Sequence, residues 1–425
     1  MTYTQPGPSP LATGDEWPVA QAQAAIASAL TPLTEAVELP LAQALGRVLH
    51  QDLISPINVP AHDNSAMDGY ALRGADLQLL APTLLRAEPT TVFAGTPYTR
   101  RVPPGGCMRI MTGAMMPEGM DTVVPIELCQ EQAGQVSIQP GVLKAGENRR
   151  RAGEDLALGT AALRAGRVLR PSDLGLAASL GHATLTVRRQ LRVALFSTGD
   201  ELRAPGQALP PGCIYDSNRH ALLGALTRMG AEVLDLGLLP DNEGALRAAM
   251  ATAVAQCDAV VTSGGVSMGD ADYTRQVLQQ MGEVAFWKVA MRPGRPFAFG
   301  SLRNAQGQRT MLFALPGNPV AALVTFYALA QPALKLLAGA TPEPMPVLRA
   351  RSASAIRKRP GRTEYQRGLV TQGEDGLWQV ALTGAQGAGI LRSMSQANAL
   401  VVLGHAQGSV AAGDAVDVWL FDGLV

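Results

Sequence analysis

At 425 residues the chain is too long for one ordinary domain and, at about 150 residues each, predicts two to four. Its 35 Lys and Arg residues balance 35 Asp and Glu residues, so no net field draws nucleic acid or an anionic membrane. With 47% hydrophobic and 16% charged residues, the latter below the usual share of about 25%, disorder as the default state is excluded.

Cys107, Cys129, Cys213 and Cys257 stand far apart, without a CxxC pair or a histidine at zinc-ligand spacing. That usage reads as a reducing compartment rather than a disulfide framework. The first 17 residues have no basic segment followed by an apolar run, so no secretory signal is expected. The most apolar stretch, 320–330, meets Gln331-Pro332 and reads as too short to cross a bilayer. A soluble, cytoplasmic protein is the expectation.

In chain order, the opening dozen residues read as a loose tail rich in Pro, Ser and Thr. Val19, Ala22, Ile26 and Leu30 recur at helical spacing, and a second helical stretch is predicted over 41–50. Short β-prone runs at 90–93, 108–111, 122–126 and 136–138, separated by Gly/Pro turns, predict a mostly-β module over 54–146. Residues 147–190 bring further strands and a short helix with Ser172 or Asp173 as N-cap and Gly181 beyond its end. The β module thus reads as an insertion into a discontinuous domain of 15–53 and 147–190.

From residue 191, strands (191–196, 232–236, 259–262, 310–315) alternate with helices (216–229, 243–257, 272–281, 319–337). Alternation of this kind predicts a doubly wound parallel sheet covered on both faces, over 191–340. Strands at 347–356, 365–370, 378–383, 399–403 and 415–421 then predict a small C-terminal β-barrel over 345–425. The fold class is multidomain α/β plus β.

Ligands of open α/β sheets bind beyond the carboxyl ends of the strands. Three Gly-containing loops fall there: Ser197-Thr198-Gly199-Asp200-Glu201, Ser263-Gly264-Gly265-Val266-Ser267-Met268-Gly269-Asp270 and Pro316-Gly317-Asn318-Pro319. In the third, Asn318 is placed as N-cap and Pro319 as the first helical residue, so free N–H groups are expected to face the crevice. Each loop alone could be a simple connection; three together predict a site for a phosphorylated ligand. Arg292-Pro293-Gly294-Arg295-Pro296 adds guanidiniums on a stiff turn, suited to a compact oxyanion, and Lys288 can add another cation. His62-Asp63-Asn64-Ser65-Ala66-Met67-Asp68-Gly69 gathers oxygens suited to a hard cation, although Asp68-Gly69 is also an ordinary turn. Arg149-Arg150-Arg151 before Glu154-Asp155 reads equally as a solvated face, and Thr112-Gly113 as a strand-end turn. The five histidines form no motif.

The ordered set DNSAMDGYA (63–71), RIMTGA (109–114), RRAGED (150–155), STGDEL (197–202), SGGVSMGDADY (263–273) and LPGNP (315–319) resembles the molybdopterin molybdenumtransferase, or MoeA, family from about residue 15 to 425. The resemblance implies a four-domain homodimer that works on adenylylated molybdopterin supplied by a molybdopterin adenylyltransferase. Molybdenum from molybdate enters the dithiolene and AMP leaves, with Mg²⁺ required. It implies functional roles for Asp63, Thr112, Asp155, Glu201, Asp241, Asp272, Lys288, Arg292, Arg295 and Arg367. Glu201 and Asp272 would hold Mg²⁺; Arg292, Arg295 and Arg367 would hold molybdate. The loops of Ser197, Thr198 and Gly199, of Ser263, Gly264, Gly265 and Ser267, and of Gly317 and Asn318 would cradle the pterin phosphate. Asp63, Thr112 and Asp155 would come from the other subunit. The family commonly carries Lys where Arg292 and Arg295 stand, and Ser where Ala388 stands, with Ser393 five residues on. Two other readings stand beside this one: the adenylyltransferase, whose single domain resembles the 191–337 unit, and, of a different class, a non-enzymatic scaffold like the similar gephyrin E domain. A nucleotide-processing hydrolase does not explain DNSAMDGYA.

Overall fold

The computed structural model describes residues 16–265, 277–278, 280–303, 307 and 309–421. Two compact units emerge: Gln51–Ala165 with Pro171–Thr184, and the described parts of Met1–His50, Gly166–Arg170 and Leu185–Val425.

The larger unit is built on a six-stranded sheet. Glu232–Leu239, Arg192–Thr198, Ala259–Ser263 and Arg309–Leu315 lie in that order and run parallel. Alternate residues of one strand feed two cores, because successive side chains leave opposite faces. Val193 and Leu195 pack with Leu222 and Leu226 of helix Asn218–Arg228, while Ala194 and Phe196 pack with Leu246 and Met250 of helix Glu243–Gln256. Two strands that the alternation does not predict, Pro296–Arg303 and Gly282–Lys288, extend the parallel core antiparallel to Arg309–Leu315 and to each other. Their sequence is broken by Pro293, Gly294 and Pro296, which reads as a turn until the sheet is there to pair with. Of the predicted helix 272–281, residues 272–276 and 279 lie outside the described residues, and 277, 278, 280 and 281 are helical.

Two further expectations change. Over 41–50 only a short 3₁₀ turn, Leu41–Gln43, forms. Gly46, at φ +73°, leaves the helical region, and Val48 and Leu49 make β-bridges to Val168 and Val187 instead. Conversely, the helix predicted over 319–337 forms, but the apolar stretch read as ending at Gln331-Pro332 does not stop there. A π turn over Phe326–Ala330, in which the Gln331 N–H reaches the Phe326 carbonyl, lets it run on through Gln331–Leu337. Pro319–Leu337 is thus 19 residues, long and apolar enough to cross a membrane, with a mean hydropathy of 1.6 over an 18-residue stretch, yet 72% of that stretch is buried inside the protein.

The C-terminal strands close into a five-stranded barrel: Thr363–Gln372, Trp378–Leu382, Leu348–Ser352, Ala415–Leu420 and Ala399–Leu403, the last returning to the first. Val401 and Leu403 face its interior; Tyr365 and Leu400 join the core of the α/β sheet. Met291–Arg292 pairs in parallel with Thr363–Glu364, which ties the Arg-Pro-Gly-Arg turn to the barrel.

The smaller unit holds a six-stranded mixed sheet, in the order Thr122–Pro125, Gly69–Leu72, Gly106–Ile110, Thr83–Val92, Gln135–Ile138, Cys129–Gln132. Both faces are buried: Ala71, Met108 and Val123 on one side, Tyr70, Leu72, Cys107 and Val124 on the other. The strand expected at 90–93 begins at Thr83 and passes Pro89 by a register shift between Glu88 and Val92. Proline gives no ladder N–H, so the sequence hides that continuity.

Candidate active site

Register places the three loops together. Ser197 pairs with Ser263, and Ser263 with Leu315, so the loops leave the sheet level with one another. The Gly264 N–H donates to the Leu315 carbonyl at 3.1 Å. Gly264 has φ +94°, and a Cβ there would stand 2.5 Å from the Thr198 carbonyl oxygen, while a Cβ on Gly317 would reach Gly264 at 4.0 Å. Three loops therefore touch through glycine backbone, and no side chain fits between the first two.

The turn before helix Asn218–Arg228 fastens them. The Ser197 hydroxyl donates to Asp216 Oδ1 at 3.0 Å, and the Asn218 amide donates to Ser263 Oγ and to the Gly317 carbonyl, both at 2.7 Å. Arg219 holds Asp216 through Nε at 3.1 Å and Asp235 through Nη1 at 2.5 Å. The sequence marks 216–229 as a helix, and the added signal is Asp-Ser-Asn at its start, three capping-type residues where one suffices. Ser197, Thr198 and Ser263 are buried, so their side chains shape the cradle from beneath. Asn318 occupies the N-cap position without a side-chain capping bond. The expectation of free N–H groups behind it is corrected at Val320, whose N–H donates to the Ala388 carbonyl at 2.9 Å.

The first loop itself carries Asp200 and Glu201, and Asp241 stands beside it. The Asp241 N–H donates to Asp200 Oδ1 at 3.3 Å. Burial, then the negative charges of Asp200 and Glu201, raise the Asp241 carboxyl above its ordinary value. No set of three metal-ligating side chains stands together among the described residues. Carboxylates pressed together in this way still suit Mg²⁺, which takes one or two protein oxygens and completes its shell with phosphate and water. Asp272 and Ser267 lie outside the described residues.

The cations fall into two settings. Gly294, at φ +103°, lies so close to the Pro319–Leu337 helix that a Cβ would meet Thr325 Oγ1 at 2.2 Å, which fixes Arg292 and Arg295 on either side. Arg292 and Arg295 are exposed and Lys288 is half-buried. Arg295 pairs with Glu16, which also takes two hydrogen bonds from Arg362 at 3.1 Å. Arg367, by contrast, is 0% exposed. Its Nε donates to Ser393 Oγ at 2.9 Å and its Nη2 to the Gly387 carbonyl at 3.0 Å, while Nη1 is buried with no partner. Burial lowers its pKa, and no carboxylate among the described residues pairs with it. Ser393 spends its own proton on the Ile390 carbonyl at 2.6 Å, so it orients Arg367 and does not replace the hydroxyl absent at Ala388.

In the smaller unit, strand Asn64–Ser65 pairs with Arg149–Arg150. Asp63 Oδ1 accepts from the Ala152 N–H at 2.8 Å, and Oδ2 lies 3.4 Å from Arg149. Thr112 gives both its N–H (2.7 Å) and its hydroxyl (2.8 Å) to Asp68 Oδ1, which lowers the Asp68 pKa. Asp68, read as a turn residue, is thus the anchor of Thr112. Asp155 is exposed. A cavity of about 320 Å³ opens beside Asp63, lined by His62, Asn64, Pro97 and Met115 among others.

Three family models match: the MoeA N-terminal region (domain I and II) over 17–181, the probable molybdopterin binding domain over 194–336 and the MoeA C-terminal region (domain IV) over 349–421. A molybdopterin molybdenumtransferase of Haemophilus influenzae is 43% identical over 394 residues, covering 92% of this chain and 95% of that one. Molybdopterin molybdenumtransferase 2 of Mycobacterium tuberculosis is 35% identical over 392 residues, covering 90% and 94%. The crystal structure of the molybdopterin biosynthesis moeA protein from Pyrococcus horikoshii superposes with TM-score 0.80 at 25% identity, covering 96% of this chain and 100% of that one. With its ordered loops, its barrel and its full-length match to these enzymes, the chain belongs to the molybdopterin molybdenumtransferase family of molybdenum cofactor biosynthesis.

Proposed function

We propose that the chain takes adenylylated molybdopterin and molybdate and yields molybdenum cofactor and AMP, with Mg²⁺ required. The observation that carries this reading is Arg367: a buried guanidinium with one unpartnered edge and no acid to balance it calls for an anion. Molybdate, a compact dianion, meets that need, with Arg292, Arg295 and Lys288 adding charge from the neighbouring turn. The loops at Gly264 and Gly317 bring backbone close enough to hold the pterin phosphate. Glu201 and Asp241, joined by Asp272, would hold Mg²⁺, which supplies charge neutralisation at the pyrophosphate. Hydrolysis breaks one P–O bond of that pyrophosphate, adds water across it and frees AMP. The two thiols of the dithiolene then bind molybdenum, and their two protons leave with one molybdate oxygen as a single water.

We extend the proposal to a cytoplasmic homodimer of four domains, divided as the sequence suggests, in which Asp63, Thr112 and Asp155 serve the other subunit's substrate. A molybdopterin adenylyltransferase precedes it in the pathway. The test is AMP release from adenylylated molybdopterin with Mg²⁺, with and without molybdate, by the parent protein and Arg367→Met. Molybdate-dependent release that falls roughly 100-fold or more in the variant supports the reading. Equal release by both proteins, or none by the parent beside a competent control enzyme, overturns it.

A further inference from the structure

We propose that Asn218 is a positioning residue that sets the gap between the second and third cradle loops, and with it the fit of the pterin phosphate. The proposal rests on the function proposed above and adds a residue to its binding site. A carboxamide nitrogen has two protons. Both are spent here, one on Ser263 Oγ and one on the Gly317 carbonyl, each at 2.7 Å. Apart from this clamp, the described residues of the two loops are joined at their base by the Gly264 N–H to the Leu315 carbonyl and by a long Ser263 Oγ contact of 3.4 Å to the Pro316 carbonyl. Two residues earlier, Asp216 holds the first loop through Ser197, and Arg219 holds Asp216 in turn. One turn of chain, 216–219, therefore touches all three loops.

The chemistry selects an amide at this point. Lys or Arg would donate but add a charge, and Asp, of the same size, donates nothing when ionised: it would face the Gly317 carbonyl as an unmatched acceptor and could at best take the Ser263 proton, so the clamp is broken on the third loop. Glycine loops have no side chains of their own to lock their separation, so a spacing suited to a phosphate has to be imposed from outside. Asn218 is half-buried at the head of its helix rather than in a core, so replacing it opens no cavity in the packing below.

The test compares the parent with Asn218→Asp, Asn218→Ala, Ser263→Ala and the Asn218→Ala/Ser263→Ala double variant. Three readouts are taken: the Kd for molybdopterin without nucleotide, KM and kcat for AMP release, and Tm. Asn218→Asp is expected to raise Kd and KM on the order of tenfold, with kcat within about threefold and Tm nearly unchanged. The Asn218→Ala effect should shrink in the Ser263→Ala background, because the two share a bond. A Kd within about twofold of the parent in Asn218→Asp, or a fall in Tm without a change in Kd, overturns the proposal. A parent that binds molybdopterin but releases no AMP sinks the proposed reaction, while the Kd comparison still judges Asn218. A parent that binds no molybdopterin overturns both.

Discussion

Asp68 and Asp241 show how opposite surroundings move two carboxylates in opposite directions. The amide and hydroxyl of Thr112 hold Asp68 below its ordinary pKa. Its support for the Thr112 turn is therefore complete above the ordinary carboxylate value and is lost as pH falls through the lowered one. Hydrogen exchange should find the Thr112 amide protected at neutral pH, losing that protection as pH falls through the lowered Asp68 value, and unprotected at any pH in Asp68→Ala. Asp241 is raised, by burial first and then by Asp200 and Glu201. Folding thus disfavours its charged form: the penalty is absent while the group is protonated and fully present above the raised value, at neutral pH. Asp241→Asn should raise the Tm of the ligand-free protein at pH 7, and Mg²⁺ should stabilise the parent more than the variant; an equal Mg²⁺ response in both would remove Asp241 from the proposed metal-binding set.

At the scale of elements, the site depends on strand register more than on any single side chain. Ser197, Ser263 and Leu315 stand side by side because three parallel strands are in step, and only glycine lets the loops meet there. Gly264→Ala places a Cβ against the Thr198 carbonyl at a φ that costs about 1–3 kcal/mol by itself. It should lower Tm and abolish molybdopterin binding, whereas Gly212→Ala, in an open surface turn, should lower stability alone. The hairpin carrying Arg292 and Arg295 was legible as charge but not as structure. Its strands, Gly282–Lys288 and Pro296–Arg303, are specified by an existing sheet edge, which no local pattern reports.

For the whole molecule, the smaller unit carries Asp63, Thr112 and Asp155, and the larger carries the loops, acids and cations. A homodimer that exchanges these residues predicts subunit complementation. Asp63→Asn and Arg367→Met proteins, each impaired alone, should recover AMP release when unfolded together and refolded as a mixture, because a mixed dimer contains one intact site. No recovery in a mixture that sedimentation shows to contain dimers would argue that each chain completes its own site.

The sequence by itself determined the succession of parallel strands and helices, the closing barrel, the mostly-β module and the three glycine loops. Each of these is written in local periodicity and turn chemistry, which neighbouring residues settle among themselves. Tertiary structure decided the rest. The 41–50 segment traded a helix for bridges to Val168 and Val187, and the helix over 319–337, expected from the sequence, passes Pro332 by a buried π turn that no local pattern announces. Asp216, Asn218 and Arg219 became a clamp only when three distant strand ends converged on them. Arg367 looks like any strand arginine in sequence, and its meaning comes from burial: charge is costly only where the fold has removed the water.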